Sequence, residues 1–480
     1  MDDSPFPAGP LIVSRSLDKL FRPKSVAVIG ASDRPGPGLD VTKNMLQSAA
    51  EAGLPVYLVN PGRDELFGAT CHKGLKDLPE VPDCIVFATS ATVMFPVLRE
   101  AAALGVGAAV VLGSGFAESS KPEGAALQAD LAGIAREAGM AVCGPNCVGL
   151  ADYERRFFPT SMAFQDIDPG IHPRSVAIVS QSGGLMIGFF NRAAARRLPL
   201  RTYVSSGNEA VTGVEDYLEY LLADPAHKVA AVICESVRDL DRLCRIGKDA
   251  ARRGQRIAVL KLGRSARGRL AVRAHTGRDP GDDAVFTAAL ADAGIAQFDR
   301  ADGLVEFCHL VSRCGVAKGP RVSAVMVSGG AAALVSDIAE RSGVPFARWS
   351  AETNEGLRVL LPDYATVSNP LDLTGGTMLR NREAVERAIR LIASDPETDI
   401  LSFVFPLQAD GGSQGMRNLV AQITDLAPSL GKPLTVVSTN SGTATNYWAD
   451  FGATNGCPIL EDAATAFAAF AHWCGGPKTP

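Results

Sequence analysis

No stretch of about 20 consecutive apolar residues occurs anywhere in the 480-residue sequence, which excludes an ordinary transmembrane helix. The amino end, MDDSPFPAGPLIVSRSLDKLF, starts acidic and lacks the basic-then-apolar order of a secretory signal, so the expected location is the cytoplasm, with no membrane partner. A basic surplus is missing as well. The formal net charge is −5, and beyond local groups such as Arg264, Arg267, Arg269 and Arg273 nothing offers to neutralise a phosphate backbone, so nucleic acid is excluded as a main partner. The ten cysteines contain no CxxC pair. Cys143 and Cys147, the nearest two in sequence, read as reduced structural thiols, and no metal site is expected. Histidine is scarce, with six in the chain, which makes each one worth placing.

What is present is apolar and periodic. With 46% hydrophobic and 21% charged residues the chain buries several cores, and its length suits two to four domains. Short β-branched runs alternate with longer Ala-rich amphipathic segments: SVAVIGAS, VTKNMLQSAAEAG, PVYLVNP, DCIVFAT, FPVLREAAALG, AAVVLGSG. Strand, helix, strand in this rhythm predicts a parallel sheet. The rhythm restarts at SVAIVSQSGGLMIGFFNRAAARR, continuing through AAVICES and RIAVLKLG, and again at RVSAVMVSGGAAALVSDIAERSG, continuing through ILSFVFPL and PLTVVST. Loop-like PTSMAFQDIDPGIHPRS and CGVAKGPR separate the blocks, so the expectation is an α/β protein of three consecutive domains, 1–153, 154–317 and 318–480.

Each block opens with a strand that runs into a small-residue turn and then a helix, the geometry in which backbone N–H groups meet an anion. The first turn, IGASDRPGPG, departs from a dinucleotide fingerprint because Ser32 stands where the second glycine belongs. The second strand ends in Asn60 and Pro61 rather than in an acid suited to a ribose diol, so NAD is disfavoured and another phosphorylated nucleotide preferred. The turns Ser182-Gly183-Gly184 and Gly329-Gly330-Ala331 would clamp one charged group between two helix starts if they faced each other; turns that merely pack helix on strand are the plain alternative. A phosphoryl group on a side chain suits such a clamp, and histidine carries it best because neutral imidazole is nucleophilic near pH 7. His275, in RAHTGRDPGDD, reads as a loop histidine with a glycine two residues on. Glu235, closing the apolar run VAAVICES, belongs at the carboxyl edge of a sheet, where it either orients that imidazole or caps the next helix.

A dozen segments in order, among them SLDKLFRPKSVAVIGAS, LVNPGRDELFG, VVLGSGFAE, GPNCVGL, VAIVSQSGGL, SSGNEAV, CESVRD, LKLGRSARG, AHTGRDPGDDAVFTAAL, VSGGAAALVSD and SNPLDLTG, carry a family resemblance over nearly the whole chain. The chain resembles the ADP-forming acyl-CoA synthetases, also called NDP-forming acetate–CoA ligases, of the succinyl-CoA synthetase superfamily. The resemblance implies a Rossmann-like CoA-binding domain followed by two flavodoxin-like ligase domains. It also implies a reaction in which acyl-CoA, phosphate and ADP exchange with acid, CoA and ATP through an acyl phosphate and a phosphohistidine. His275 falls where the family carries the phosphorylated histidine and Glu235 where it carries the glutamate that steadies it. Ser182, Gly183 and Gly184 match the first phosphate-holding helix start, and Gly329 and Gly330 the second. The CoA positions fall on Gly30, Ser32, Lys43, Asn60, Pro61, Ser90, Ser114, Gly115 and Asn146.

Two departures from the family pattern carry consequences. The family reads Ser-His-Thr-Gly followed by a small residue, Leu, Ala and Gly, whereas this chain has Ala274 before the histidine and Arg278, Asp279 and Pro280 after the glycine. The change beside the reactive residue either retunes the acyl pocket or weakens phosphotransfer. The second departure is the ATP-grasp module, which has no counterpart around ILEDAATAFAAFAHWCGGPKTP. The expectation is therefore an α-type subunit whose nucleotide, ATP or ADP with Mg2+, binds a separate ATP-grasp β-type subunit in a hetero-oligomer. The competing readings are a CoA-binding regulatory module that has lost phosphotransfer and a nicotinamide-dependent oxidoreductase, the latter already disfavoured by Ser32 and Asn60.

Overall fold

The runs VAVI, CIVF and AAVV become strands because small and β-branched side chains pack well on both faces of a pleat, and every residue in all three is buried. They belong to the first of three sheets in a computed structural model that describes residues 14–119, 121–162, 173–443 and 446–474. Residues 1–13 and 163–172, the latter inside the linker-like stretch, lie outside the described residues.

The first sheet comprises β1 (Val26–Ile29), β2 (Val56–Val59), β3 (Glu65–Leu66), β4 (Ala69–His72), β5 (Cys84–Phe87), β6 (Ala108–Val111) and β7 (Ala141–Cys143), in the order β3-β4-β2-β1-β5-β6-β7. All neighbours run parallel except the β3–β4 pair. The second contains β8 (Gly149–Asp152), β9 (Val176–Ser180), β10 (Leu200–Ser205), β11 (Val229–Cys234), β12 (Arg256–Lys261) and β13 (Ala296–Phe298), in the order β13-β12-β11-β9-β10-β8. Its β8 is antiparallel to β10, so this sheet is mixed where the strand–helix rhythm predicts a purely parallel one. The chain passes from β7 at the edge of the first sheet to β8 at the edge of the second without an intervening helix. The third sheet, β14 (Val322–Met326), β15 (Leu371–Asp372), β16 (Ile400–Phe405), β17 (Leu434–Ser438) and β18 (Ile459–Leu460), is parallel throughout in the order β15-β14-β16-β17-β18.

Among the strands after β8 in the second sheet, and among all strands of the other two, the chain lays its second strand on one side of the first and then crosses to the other, which opens a crevice at the carboxyl ends of two central strands. Those pairs are β1 and β5, β9 and β11, and β14 and β16. The sheets share cores. Val26, Val28 and Cys143 of the first pack in one apolar cluster with Val179 and Val232 of the second. Val176 and Ile178 of the second cluster with Val322 and Ala324 of the third, through Phe307, Phe467 and Trp473 on the helices Ala301–Cys314 and Ala463–Trp473. Arg196 locks the same junction: its guanidinium is fully buried, takes both oxygens of buried Glu306 at 2.8 and 3.3 Å, and donates to the carbonyl of Ile459 on β18.

Candidate functional site

At the middle crevice, β9 ends in Ser180 and turns through Gln181 into Ser182, the N-cap of the helix Gly183–Ala195. The Ser182 hydroxyl accepts from Leu185 N at 3.3 Å and its carbonyl from Met186 N at 3.0 Å. Among the described residues the first two helical amides, Gly183 and Gly184, have no acceptor, as expected for a helix start. A Cβ on Gly184 would meet nothing within 4 Å, so glycine there relieves no clash. The third sheet repeats the device: Ser328 caps the helix Gly329–Ser342 by accepting from Ala331 N, and Gly329 and Gly330 stand exposed with amides likewise free. The nearest group to a Cβ on Gly329 is the Asp372 carboxylate at 3.6 Å.

Glu235 follows β11 directly across the same crevice. Gln181 ties the two strand ends together, its side-chain carbonyl accepting from Glu235 N at 2.7 Å and Ser236 N at 3.3 Å while its amide donates to Ser236 O at 2.8 Å. The next helix, Leu240–Arg252, is capped by Asp239, which leaves the buried Glu235 carboxylate for another partner. That partner is the Thr276 hydroxyl, 2.6 Å away. Lys261, at the end of β12, lies beneath and donates to the carbonyls of Glu235, Leu262 and Pro280 at 2.7, 3.0 and 3.0 Å. Its burial lowers the ammonium pKa from the usual lysine range.

His275 sits in the last turn of the helix Ala266–Thr276, not in a loop, because the run SARGRLAVRAHT is helical up to Gly277, whose φ of +69° closes it in the left-handed conformation. The imidazole is exposed, and among the described residues it has no hydrogen-bond partner; the contact from Glu235 goes to its neighbour Thr276. The structure thus brings together Ser182, Gln181, Glu235, Thr276 and the helix end that carries His275. Thr276, Gln181 and Lys261 escaped the sequence reading, although Lys261 ends an apolar run just as Glu235 does.

The positions expected to meet CoA, Lys43 apart, follow strand ends at the carboxyl edge of the first sheet. Gly30, with φ of +87°, follows β1, and its missing side chain matters: a Cβ would stand 2.5 Å from Thr89 Cγ2 across the β1–β5 crevice. Ser32 N donates to Thr42 Oγ1 at 3.1 Å. Asn60, after β2, donates to Ala31 O at 2.8 Å and accepts from Gly62 N at 2.8 Å, and the Pro61 carbonyl faces Lys73 Nζ at 3.4 Å. Ser90 opens the helix Ala91–Leu104 after β5, and Ser114 and Gly115 follow β6, all three exposed. Asn146, after β7, donates through its backbone to Gly113 O at 2.8 Å and through its side chain to Asn208 at 3.2 Å. Lys43 is exposed on the helix Pro37–Ala52, its ammonium 5.8 Å from the Phe67 ring centre. Of the basic residues near the histidine, Arg264 is held by Asp283 and Asp299, and Arg269 donates to Arg264 O.

Comparison with known proteins agrees with this layout. Residues 24–152 match the CoA binding domain model and residues 173–311 the succinyl-CoA ligase like flavodoxin domain model. The chain is 34% identical over 415 residues to trans-feruloyl-CoA synthase FCS1 of an unknown prokaryotic organism, covering 83% of this chain and 58% of the other, so it spans little more than half of that relative. It is 30% identical over 386 residues to subunit alpha of the ADP-forming acetate–CoA ligase II of Pyrococcus furiosus, covering 80% and 81%. Among solved structures, a dinucleotide forming acetyl-coenzyme A synthetase 1 of Ca. Korarchaeum cryptofilum, in complex with phosphate and ADP, superposes with a TM-score of 0.81 at 24% identity over 95% of this chain and 96% of that one, which speaks for the fold.

Proposed function

Because the chain belongs to the ADP-forming acetate–CoA ligase family, we propose that it is the α-type part of an acid–CoA ligase in which His275 carries the phosphoryl group. In the direction of ATP formation, a phosphate oxygen attacks the thioester carbon, the C–S bond breaks, and CoA leaves as the thiol after taking a proton. A neutral imidazole nitrogen of His275 then attacks phosphorus, the bond to the bridging oxygen breaks, and the acid departs as its carboxylate. ADP collects the phosphoryl group from the histidine, and this last exchange, with Mg2+, belongs to an ATP-grasp β-type partner. The lengths covered in relatives named as alpha subunits support a partner in trans.

The observation that carries this reading is the contact of 2.6 Å between the Glu235 carboxylate and Thr276, which fixes the helix end bearing His275 at the same crevice as the free amides of Gly183 and Gly184. Those amides, and the matching pair at Gly329 and Gly330, would hold phosphoryl oxygens with the positive ends of two helices. CoA would lie along Gly30, Ser32, Lys43, Asn60, Pro61, Ser90, Ser114, Gly115 and Asn146. We take the units 1–153, 154–317 and 318–480 as the domains, with β8 as the strand the first contributes to the second sheet.

The decisive experiment is intact-protein mass spectrometry after mixing the chain with acetyl phosphate, and separately with ATP plus an ATP-grasp subunit shown active on a known α-type chain. An acid-labile added phosphate that His275→Ala removes, with CoA binding retained, is the expected result. No phosphate under either condition while CoA still binds would favour the regulatory CoA-binding module instead.

A further inference from the structure

We propose that Arg278 is a positioning residue that sets His275 in register with both the phosphate turn and the CoA-binding edge; the inference rests on His275 being the phosphoryl acceptor. The segment after the histidine alternates. His275, Gly277 and Asp279 are exposed, whereas Thr276, Arg278 and Pro280 point inward, each to a different strand end. Thr276 meets Glu235 after β11, the Pro280 carbonyl meets Lys261 at the end of β12, and Arg278 reaches the segment after β10.

There the Arg278 guanidinium donates to Gly207 O at 3.0 Å and lies 3.6 Å from Glu209 Oε2. Glu209 is only 2% exposed and its backbone is held at φ of +55°, a conformation a glutamate adopts only when its surroundings impose it. A carboxylate so buried needs a counter-charge, and the planar guanidinium supplies one while keeping a second nitrogen, at a fixed angle, for the carbonyl. By contrast the neighbouring Arg273–Asp279 pair is exposed and contributes little.

From Glu209 the contacts run two ways. Its other oxygen accepts from the Ser206 hydroxyl at 2.7 Å, and Ser206 N donates at 2.8 Å to the carbonyl of Ser180, the last residue before the turn into Ser182. On the other side, Gly207 is pressed so closely on the first sheet's edge that a Cβ would stand 2.3 Å from Pro145 O. Asn208 donates to Pro145 O at 2.9 Å and to the carboxylate of Glu118, which accepts from Gly115 N. Arg278 therefore joins the histidine segment to a loop that touches both candidate ligand sites.

The test uses the full chain with Arg278→Leu, Arg278→Lys, Glu209→Gln and the Leu/Gln double variant. The readouts are the rate of phosphate gain on His275 from acetyl phosphate, or from ATP plus an ATP-grasp subunit, the CoA dissociation constant by calorimetry, and the thermal midpoint. Arg278→Leu is expected to slow phosphorylation by about tenfold or more, since small misplacements of a nucleophile cost that much, with CoA affinity changed less than about twofold. Arg278→Lys should recover part of the rate, and the double variant should be no slower than the slower single one, because the pair acts as a unit. Wild-type phosphorylation in Arg278→Leu, or a loss that tracks CoA affinity and thermal midpoint, overturns the inference alone. If Arg278→Leu fails to fold, wild-type rates in both Arg278→Lys and Glu209→Gln do the same. A wild-type chain that binds CoA yet takes no phosphate overturns the ligase reading and this inference with it.

Discussion

At the scale of single residues, the informative feature is which atom Glu235 holds. Its carboxylate accepts from Thr276 rather than from the exposed imidazole, so its hold on the histidine runs through the helix end. Two substitutions separate the routes. If Glu235 acts through that hydroxyl, Thr276→Val should slow phosphorylation of His275 about as much as Glu235→Gln, on the order of tenfold, as positioning losses commonly do. A Thr276→Val protein as fast as wild type beside a slowed Glu235→Gln would mean that the carboxylate contacts the ring directly during transfer. The place of Glu235 is legible in the sequence, because an acid ending an apolar run belongs at the sheet's carboxyl edge. The Thr276 contact was not, because it joins residues 41 positions apart.

At the scale of elements, the two serine-capped helix starts share one design, a hydroxyl satisfying the third amide while two glycine amides have no acceptor among the described residues. Glycine at an ordinary helical position without a steric reason costs stability relative to alanine. Gly184→Ala, whose methyl would meet nothing within 4 Å, should therefore raise stability by up to about 1 kcal/mol, read by thermal unfolding, while slowing phosphate uptake if the bare turn is what admits the phosphoryl group. A more stable variant phosphorylated at the wild-type rate would remove this turn from the site. The first block's helix differs, since Pro37 at its start has no N–H to offer and Gly38 is packed on the Gly30 carbonyl, 2.8 Å from where a Cβ would stand. That contrast suits a first edge that grips through separate loops rather than through one helix start.

At the scale of the molecule, the second and third sheets are joined through a continuous apolar core and one buried ion pair. Glu306→Gln leaves the fully buried Arg196 without its bidentate counter-charge. It should cost about 3 kcal/mol in denaturant unfolding, within the range for breaking a buried pair from one side. A change under about 1 kcal/mol would show that Arg196 is held by its contact to Ile459 O and the surrounding packing instead.

The sequence by itself determined the strand–helix alternation, its two restarts and the small-residue turn that follows the first strand of each block, because these follow from local periodicity and from the short-range chemistry of caps and glycine. It also carried the family motifs, with His275 and Glu235 among them. Only the tertiary structure decided that β8 crosses into the second sheet and that Glu235 meets Thr276. The same holds for Arg278, which spans 71 residues to reach Gly207. The physical reason is common to all three. Periodicity reports which face of an element is buried, whereas the partner of a buried polar group is set by how distant strand ends converge, and that convergence exists only once the sheets have formed.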